Sequence, residues 1–289
     1  MTPSAEDMVW IDGATYRMGS DSHYPEEAPA HRVSVDGFWI DAFQVTNRLF
    51  AAFADETGYV TVAERPLDPS AFPGAPAENL VPGSLVFTRT TGPVDLRNLS
   101  QWWAWTPGAC WRNPDGPASS IKGREDEPVV HVALEDAEAY AAWAGKELPS
   151  EAEWELAARG GLDGCDFVWG DEPEPRGERR ANYWHGEFPW RADPGYGTTT
   201  PVGSFPPNEH GLFDMAGNVW EWTADWYGGS EQASLDPGQP QFAVPRRVVK
   251  GGSFLCADSY CLRYRPAARR PQMIDTGMSH IGFRCAMDV

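Results

Sequence analysis

The 29 glycines and 26 prolines of this 289-residue chain restrict its fold more than any other sequence feature. Both residue types disfavour helix interiors, so a helical bundle does not fit the sequence. The chain also carries 14 tryptophans, an unusual number for its length. Large aromatic side chains bury much apolar area and can anchor coil segments. We therefore predict an irregular, loop-rich fold.

The formal charge of −19 argues against a nucleic-acid partner, because phosphate binding needs a basic surface. An acidic surface is compatible with basic peptide clients, although it most simply serves solubility. The first residues show no signal-peptide pattern, and no apolar run approaches the ~20 residues that span a bilayer. We therefore expect a cytoplasmic protein with no membrane partner. An odd count of five cysteines in a reducing compartment indicates metal or redox chemistry.

The periodicity of the N-terminal part predicts short strands followed by a helix. Residues 8–19 are typical of two short strands around an Asp-Gly turn, and residues 32–40 of a further strand. Thr46 is placed as the N-cap of a helix that ends at Gly58.

The middle of the chain alternates between coil and helix. Residues 64–128 show no clear period and are predicted to be a long ordered loop region, a kind of segment that is often functional. Residues 129–132 form an apolar run that predicts a short strand, followed by a helix ending at Gly145. Ser150 and Glu153 have the spacing of a capping box, which opens a further helix.

Cys256 and Cys261 lie five positions apart, within a segment rich in arginine. Nearby cations lower the pKa of a thiol and populate the thiolate. Thiolates are soft ligands, and two of them suit Cu(I). Zinc needs four ligands, and no further Cys or His pair at standard spacing is near. The spacing alone leaves open two small buried residues or a local disulfide.

Motifs along almost the whole chain carry a family resemblance. They include Trp-Ala-Gly-Lys-Glu-Leu-Pro-Ser at residues 143–150, Gly-Asn-Val-Trp-Glu-Trp at 217–222, Gly-Gly-Ser-Phe-Leu-Cys at 251–256 and Gly-Phe-Arg-Cys at 282–285. These motifs resemble those of the formylglycine-generating enzymes, which form the sulfatase-modifying factor family. The resemblance is to the bacterial, copper-dependent type. The two cysteines together with Ser253 and Tyr260 are the most specific part of the resemblance.

The resemblance implies an α+β fold that forms a single domain over residues 1–289. The sulfatase-modifying-factor fold is similar to C-type lectins, with low regular secondary structure, several helices and short antiparallel sheets. The elements that periodicity predicts agree with this fold.

The resemblance also implies a copper- and oxygen-dependent oxidation. The client would be an unfolded or nascent sulfatase, and a cysteine in its Cys-x-Pro-x-Arg-type motif would become Cα-formylglycine. Cys256 and Cys261 would hold Cu(I), with the client cysteine as a third thiolate, while Ser253, Tyr260 and Trp220 would surround the pocket. Without the motif, Trp220 and Tyr260 are equally well interpreted as core aromatics.

Two structural calcium sites are implied as well, since calcium prefers six to eight oxygen ligands. The first would use Asp214, Gly217, Val219 and Glu221. The second would use Asn182, Tyr183, Asp193 and Tyr196, with the tyrosines binding through their carbonyl oxygens. A plain Asx turn is the alternative at Asp193.

The chain departs from the family pattern at Ala257, Leu262 and residues 272–277, which leaves its client sequence preference open. Two other functions are also open. A non-catalytic peptide-binding paralogue would share the fold but lack the thiols. An iron-dependent sulfoxide-synthase-like enzyme would carry an additional helical domain with iron-binding histidines, which this sequence lacks.

Several further residues receive a simpler interpretation. His131 is predicted to be a core histidine with satisfied hydrogen bonds, whereas His280 lies near the cysteine segment and is a candidate for a client contact. Glutamates at alternate positions are predicted to form a solvated or capping helix face: Glu151, Glu153 and Glu155. The remaining cysteines are predicted to be unpaired structural thiols: Cys110, Cys165 and Cys285.

Overall fold

A computed structural model describes residues 7–67, 69, 74–77, 80–238 and 244–288. Within these ranges the chain forms short strands and a few helices connected by long coil. The strands are β1 Met8–Ile11, β2 Ala14–Met18, β3 His31–Val35, β4 Phe38–Asp41, β5 Gly83–Phe87, β6 Trp103–Pro107, β7 Gly186–Glu187, β8 Arg191–Ala192, β9 Trp220–Trp226, β10 Arg246–Lys250, β11 Arg269–Met273, β12 Ile281–Gly282 and β13 Ala286–Met287. The helices are α1 Asn47–Thr57, α2 Leu134–Trp143, α3 Glu151–Arg159 and α4 Glu231–Ser234. The predicted α+β class with low regular secondary structure is confirmed.

Two sheets organise the described strands, and three hairpins flank them. One sheet has the order β1-β4-β13, and the other has the order β11-β10-β9-β12. Pairing is antiparallel except between β12 and β9, which run parallel. The hairpins are β2-β3, β5-β6 and β7-β8. The segment with the two cysteines connects β10 to β11, so neighbouring strands of one sheet hold both of its ends.

The helix boundaries follow local capping chemistry. Thr46 accepts a hydrogen bond from the Leu49 amide at 3.3 Å, and Gly58 ends α1 in the left-handed region with φ 68°. At α3 the Ser150 hydroxyl accepts from the Glu153 amide at 3.2 Å, and the Glu153 carboxylate accepts from the Ser150 amide at 2.6 Å. Both predicted N-termini are therefore confirmed.

Aromatic side chains from coil and helix meet in the core. Phe50 of α1 lies 5.1 Å from the ring of Trp111, which is in coil, and 5.9 Å from the ring of Tyr140 on α2. Trp222 is fully buried and donates through Nε1 to the Val132 carbonyl at 3.0 Å. Large aromatics thus hold coil against regular elements, as the composition predicts.

Residues 32–40 do not form one strand, and that prediction is wrong. The chain turns at Asp36 and Gly37, so β3 pairs with β2 while β4 pairs with β1. A Cβ at Gly37 would lie 2.4 Å from the Trp10 ring, and only glycine permits this approach. The two predicted strands of residues 8–19 are present, although each joins a different partner.

The predicted strand at residues 129–132 is also absent. Val129 donates to the Val45 carbonyl at 2.9 Å and His131 to the Met278 carbonyl at 3.0 Å, but His131 has φ 61° and interrupts the extended backbone. Residues 64–128 are not one structureless loop, because they contain the β5-β6 hairpin. In the described ranges, no helix combines the length and apolar character needed to cross a bilayer.

Candidate active site

The cysteine loop between β10 and β11 begins at a glycine pair that lets the backbone fold back on itself. Gly252 has φ 74°, and a Cβ there would lie 2.8 Å from the Arg263 carbonyl oxygen. The Phe254 amide then donates to the Asn218 carbonyl at 2.9 Å. These contacts fix the loop beside the start of β9.

The loop brings the two thiols face to face. The Sγ atoms of Cys256 and Cys261 are 3.3 Å apart, and both residues are buried. A disulfide bond measures about 2.05 Å, so these are two free thiols in contact. The Cys261 amide donates to the Ala257 carbonyl at 2.6 Å, and this local turn sets the separation of the two side chains.

The two thiols differ in acidity. A hydrogen bond from the Cys256 thiol, together with the positive charges of Arg270 and Arg263, lowers the pKa of Cys261 to about 6. Burial, and then the neighbouring Cys261, raise the pKa of Cys256. Arg263 Nη1 lies 3.9 Å from Cys261 Sγ, and Glu26 holds the same guanidinium at 2.6 Å. The pair therefore consists of one thiolate and one thiol near neutral pH.

This asymmetry predicts the pH dependence of alkylation in the metal-free protein. The thiolate is the nucleophile, so the reaction of Cys261 with iodoacetamide should rise with pH through a midpoint near 6. An ordinary thiol has its midpoint at about 8.5. Arg270→Gln should move the midpoint to higher pH, whereas Arg97→Gln, on an exposed side chain, should not. Peptide mapping by mass spectrometry measures each thiol separately, and a wild-type midpoint above pH ~8 would contradict the assignment.

A cavity of about 240 Å³ opens onto the thiol pair. All five residues predicted to be catalytic line it, namely Cys256, Cys261, Ser253, Tyr260 and Trp220. The Tyr260 ring stacks on Phe188 with centroids 4.7 Å apart and meets the edge of Trp102 at 5.9 Å. Burial raises the pKa of Tyr260, so the phenol keeps its proton. The structure thus assembles the predicted set in one largely apolar pocket.

Other lining residues come from distant parts of the chain. Trp102 and Trp103 lie at the start of β6, Phe188 between β7 and β8, and His280 just before β12. The sequence did not predict that Trp102, Trp103 and Phe188 lie at the site. It indicated only that large aromatic residues recur in coil segments. Proximity of His280 to the cysteine segment in sequence was the one usable indication.

Three of the residues predicted for a first calcium site lie around one point, but the side-chain amide of Gln44 occupies that point. Gln44 Nε2 lies 2.9 Å from Glu221 Oε1, 3.2 Å from the Val219 carbonyl oxygen and 3.4 Å from the Asp214 carbonyl oxygen. Arg284 and Trp154 also donate to the Glu221 carboxylate, each at 2.7 Å. Protein donors therefore surround this carboxylate, and the residues do not fit a calcium ion.

The hydrogen-bond network also fixes which way the Gln44 amide faces. The Thr200 amide donates to Asn218 at 3.0 Å, which identifies the accepting atom as Oδ1. Asn218 Nδ2 then donates to Gln44 Oε1 at 3.1 Å, which leaves Gln44 Nε2 facing the three oxygens. An N–H group thus stands where a cation would bind.

A single substitution should convert this cluster into a calcium site. Gln44→Glu places a second buried carboxylate beside Glu221, which should lower the melting temperature without calcium because like charges repel. Calcium at about 100 times its Kd should then stabilise this variant by about 2.7 kcal/mol more than the wild type, and this appears as a larger rise in melting temperature. Exposed Gln101→Glu is the matched control. Equal calcium responses in wild type and Gln44→Glu would refute the interpretation.

The second predicted calcium site shows one feature that suits a cation. Asn182 Oδ1 is buried and has no hydrogen-bond partner in the part of the chain that the structure describes. Asp193 pairs with Arg179 at 2.6 Å, and the Tyr196 carbonyl accepts from Arg89 at 2.9 Å. The donor of Tyr183 would be its carbonyl oxygen. Asn182 Oδ1 is therefore one unused oxygen donor of the kind that calcium binds, whereas Asp193 and the Tyr196 carbonyl already accept from arginines.

The prediction of a solvated glutamate face on α3 is wrong for two of its three residues. Glu153 caps the helix as expected, but Glu151 and Glu155 are buried rather than solvated. Glu155 accepts from Lys250 at 2.9 Å and from Arg159 at 2.6 Å. The helix face packs against β10, so Glu155 is neutralised by Lys250 from that strand as well as by Arg159 one turn along the helix.

Two other predictions about single residues are confirmed. His131 is fully buried, and its ring nitrogens lie 2.8 Å from Ser84 Oγ and 2.8 Å from the Pro114 carbonyl oxygen. The remaining cysteines are free: Cys110, Cys165 and Cys285.

Among the described residues no group of three or more His, Cys, Asp or Glu side chains surrounds a common point suited to a metal. The thiol pair therefore lacks the four protein ligands of a structural zinc site.

Comparison with known proteins shows the family of the chain. Residues 1–289 match the family described as the sulfatase-modifying factor enzyme 1-like domain. The chain is 51% identical to the formylglycine-generating enzyme of Mycobacterium tuberculosis over 98% of each chain. It is 40% identical to the inactive C-alpha-formylglycine-generating enzyme 2 of Bos taurus over 96% of this chain and 87% of that one. The solved structure of PvdO from Pseudomonas aeruginosa superimposes with a TM-score of 0.62 and 26% identity, covering 98% of this chain and 94% of that chain.

The α+β fold and the cavity with its thiol pair define an enzyme of the sulfatase-modifying factor class. Within that class the chain belongs to the formylglycine-generating enzymes.

Proposed function

We propose that the protein oxidises a cysteine of a client sulfatase to Cα-formylglycine and that this reaction depends on copper and oxygen. The observation that carries the proposal is the pair of free, buried thiols 3.3 Å apart at a cavity. Relatives named formylglycine-generating enzymes support the reaction class. The relative named inactive shows that sequence similarity alone does not establish activity, so the thiols are the stronger argument.

The donor chemistry of the thiol pair fits Cu(I). Cys256 and Cys261 are soft ligands, and the lowered pKa of Cys261 provides one thiolate near neutral pH. When bound there, Cu(I) would supply the electron-transfer chemistry with oxygen that cysteine oxidation requires. The client cysteine would add a third sulfur beside the pair.

The surrounding residues would orient the client and control protons. Ser253 Oγ accepts from the Leu255 amide at 3.3 Å, which leaves its own proton free to point into the cavity. The phenol of Tyr260 is a second donor, held in place by Phe188. Trp220, buried and lining the cavity, helps to exclude bulk water.

The client is proposed to be an extended segment of an unfolded or nascent sulfatase with a Cys-x-Pro-x-Arg-type motif. A cavity of about 240 Å³ accepts side chains but not a folded domain. Oxidation would therefore precede burial of the target cysteine. The net charge of −19 favours the arginine of such a motif by long-range attraction.

A peptide assay tests the proposal. Protein loaded with Cu(I) and supplied with oxygen should convert the cysteine of a Cys-x-Pro-x-Arg peptide to an aldehyde, detected by mass spectrometry after hydrazide capture. A peptide with serine in place of cysteine is the control for capture, and a Cu(I) chelator should stop the reaction. If the copper-loaded protein yields no aldehyde with any motif peptide, the proposed function is wrong.

Two alternative functions make different predictions in the same assay. A non-catalytic peptide-binding paralogue would bind the peptide without producing aldehyde, and it would not need the two thiols that this chain retains. An iron-dependent sulfoxide synthase would need histidine ligands, and the described residues contain no cluster of them suited to a metal.

We also propose a structural calcium ion at the second site, where Asn182 Oδ1 is orphaned. A cytoplasmic location is proposed as well. Five free cysteines are typical of proteins in a reducing compartment.

A further inference from the structure

His280 carries an unsatisfied polar atom in a ring that borders the thiol cavity. The residue lines the same cavity as Cys256 and Cys261, and it is 8% exposed. Its Nδ1 atom is buried and has no hydrogen-bond partner among the residues that the structure describes. A buried polar atom without a partner destabilises a protein, so such atoms at a pocket often await a ligand.

The ring of His280 is held rigidly. It packs on the Trp103 ring with centroids 4.7 Å apart, and the His280 carbonyl accepts from the Trp220 amide at 2.9 Å. Both neighbours belong to strands that form the wall of the cavity. A ligand bonded to this imidazole would therefore be fixed relative to the thiols, because little side-chain freedom remains to be lost.

The imidazole is neutral under ordinary conditions. Burial, followed by the positive charge of Arg270, holds the pKa of His280 well below its usual range. A neutral imidazole carries one N–H donor and one lone-pair acceptor. It can therefore bond an uncharged polar ligand without a charge having to be buried on either partner.

The peptide backbone of the client is the uncharged polar group that must enter this cavity. An extended peptide carries an N–H and a C=O group at each non-proline residue, whichever sulfatase it comes from. We propose that His280 is a client-binding residue that hydrogen-bonds, through Nδ1, one backbone group beside the reactive cysteine. The inference rests on the proposed function and adds a recognition contact that does not depend on the client side chains.

Three substitutions of His280 distinguish the contributions of its two ring nitrogens to client binding. His280→Phe keeps the aromatic packing on Trp103 and removes both nitrogens. His280→Asn places an amide where Nδ1 lies, and His280→Gln places one near Nε2. We expect a client peptide with serine in place of cysteine to bind His280→Phe and His280→Gln about tenfold more weakly than wild type, and His280→Asn within about twofold, since one hydrogen bond is at stake.

Fluorescence anisotropy of the labelled serine peptide measures this binding without copper or turnover. A series of peptides with single backbone amides replaced by esters then locates the contact. One ester should weaken binding to wild type by about tenfold and cause no further loss with His280→Phe. In turnover assays the His280→Phe change should raise KM and leave kcat within about twofold.

The outcomes separate this inference from the proposed function. Wild-type affinity in His280→Phe with an unchanged melting temperature overturns the inference and leaves the oxidation untouched. The same holds if every ester weakens binding equally in both proteins. If wild type binds the peptide with the expected His280 dependence but yields no aldehyde, the proposed oxidation fails and the contact stands. A wild type that binds no motif peptide overturns both.

Discussion

Replacing Cys261 with serine is expected to lower kcat/KM for client peptide oxidation by on the order of a thousandfold or more, as removal of a reacting group does in other enzymes. A hydroxyl group is a hard ligand and stays protonated at neutral pH, so it replaces neither the soft donor nor the charge of the thiolate. Cys256→Ser should have an effect of similar size, because the two sulfurs act as a unit. Quantified aldehyde formation under copper saturation measures both.

Cys165→Ser is the matched control for these variants. Cys165 is a free, half-buried thiol that does not line the cavity, so its replacement should leave turnover unchanged. Melting temperatures of all three variants should stay close to wild type, because serine is slightly smaller than cysteine. Cys261→Ser should not retain more than about a tenth of wild-type kcat/KM, which corresponds to a loss of about 1.4 kcal/mol in transition-state stabilisation. A smaller loss would show that the thiol pair is not the reacting centre.

Replacing Arg284 with methionine is expected to lower the free energy of unfolding by about 3–5 kcal/mol, since it leaves a buried carboxylate uncompensated. Arg284 is fully buried and donates twice to Glu221, at 2.7 and 2.9 Å. It also donates to the carbonyls of Asp41 at 3.1 Å and Phe213 at 2.8 Å. Arg284 thus ties Glu221 of β9 to the end of β4 and to the coil at Phe213.

Urea unfolding measures this change. Arg97→Met is the control, because Arg97 is 90% exposed and pairs with Asp95 at the surface, and we expect no measurable loss of stability. The double variant Arg284→Met, Glu221→Leu should recover part of the loss, since it removes the stranded charge. A loss below about 1 kcal/mol in Arg284→Met would mean that the pair does not stabilise the fold.

Local signals predicted α1 and α3 well, but not the short α4. The N-caps at Thr46 and Ser150 and the glycine stop at Gly58 depend on neighbours within four residues, and the sequence shows such neighbours directly. The strands were harder, because pairing partners lie far apart in sequence. The break at Gly37 illustrates this difficulty, since the Trp10 ring that leaves no room for a side chain there belongs to another strand.

The same difference between local and long-range signals applies to the candidate site. Cys256 and Cys261 share one turn, so their meeting could be expected from a short segment that resembles a known family. Lys250 neutralises Glu155 from 95 positions away, and without that partner the glutamates of α3 look solvated. Gln44 reaches the Glu221 cluster across 177 positions, so only the folded chain reveals an amide at the predicted calcium position.

Competition titration of Cu(I) against a coloured chelator tests most directly whether the two thiols form one metal site. We expect the wild type to take up one copper ion per chain, and Cys256→Ser and Cys261→Ser to take up no more than the double variant. Cys165→Ser should bind copper as the wild type does. If the double variant binds one ion per chain with wild-type affinity, the copper lies elsewhere, and the oxidation cannot be assigned to this thiol pair.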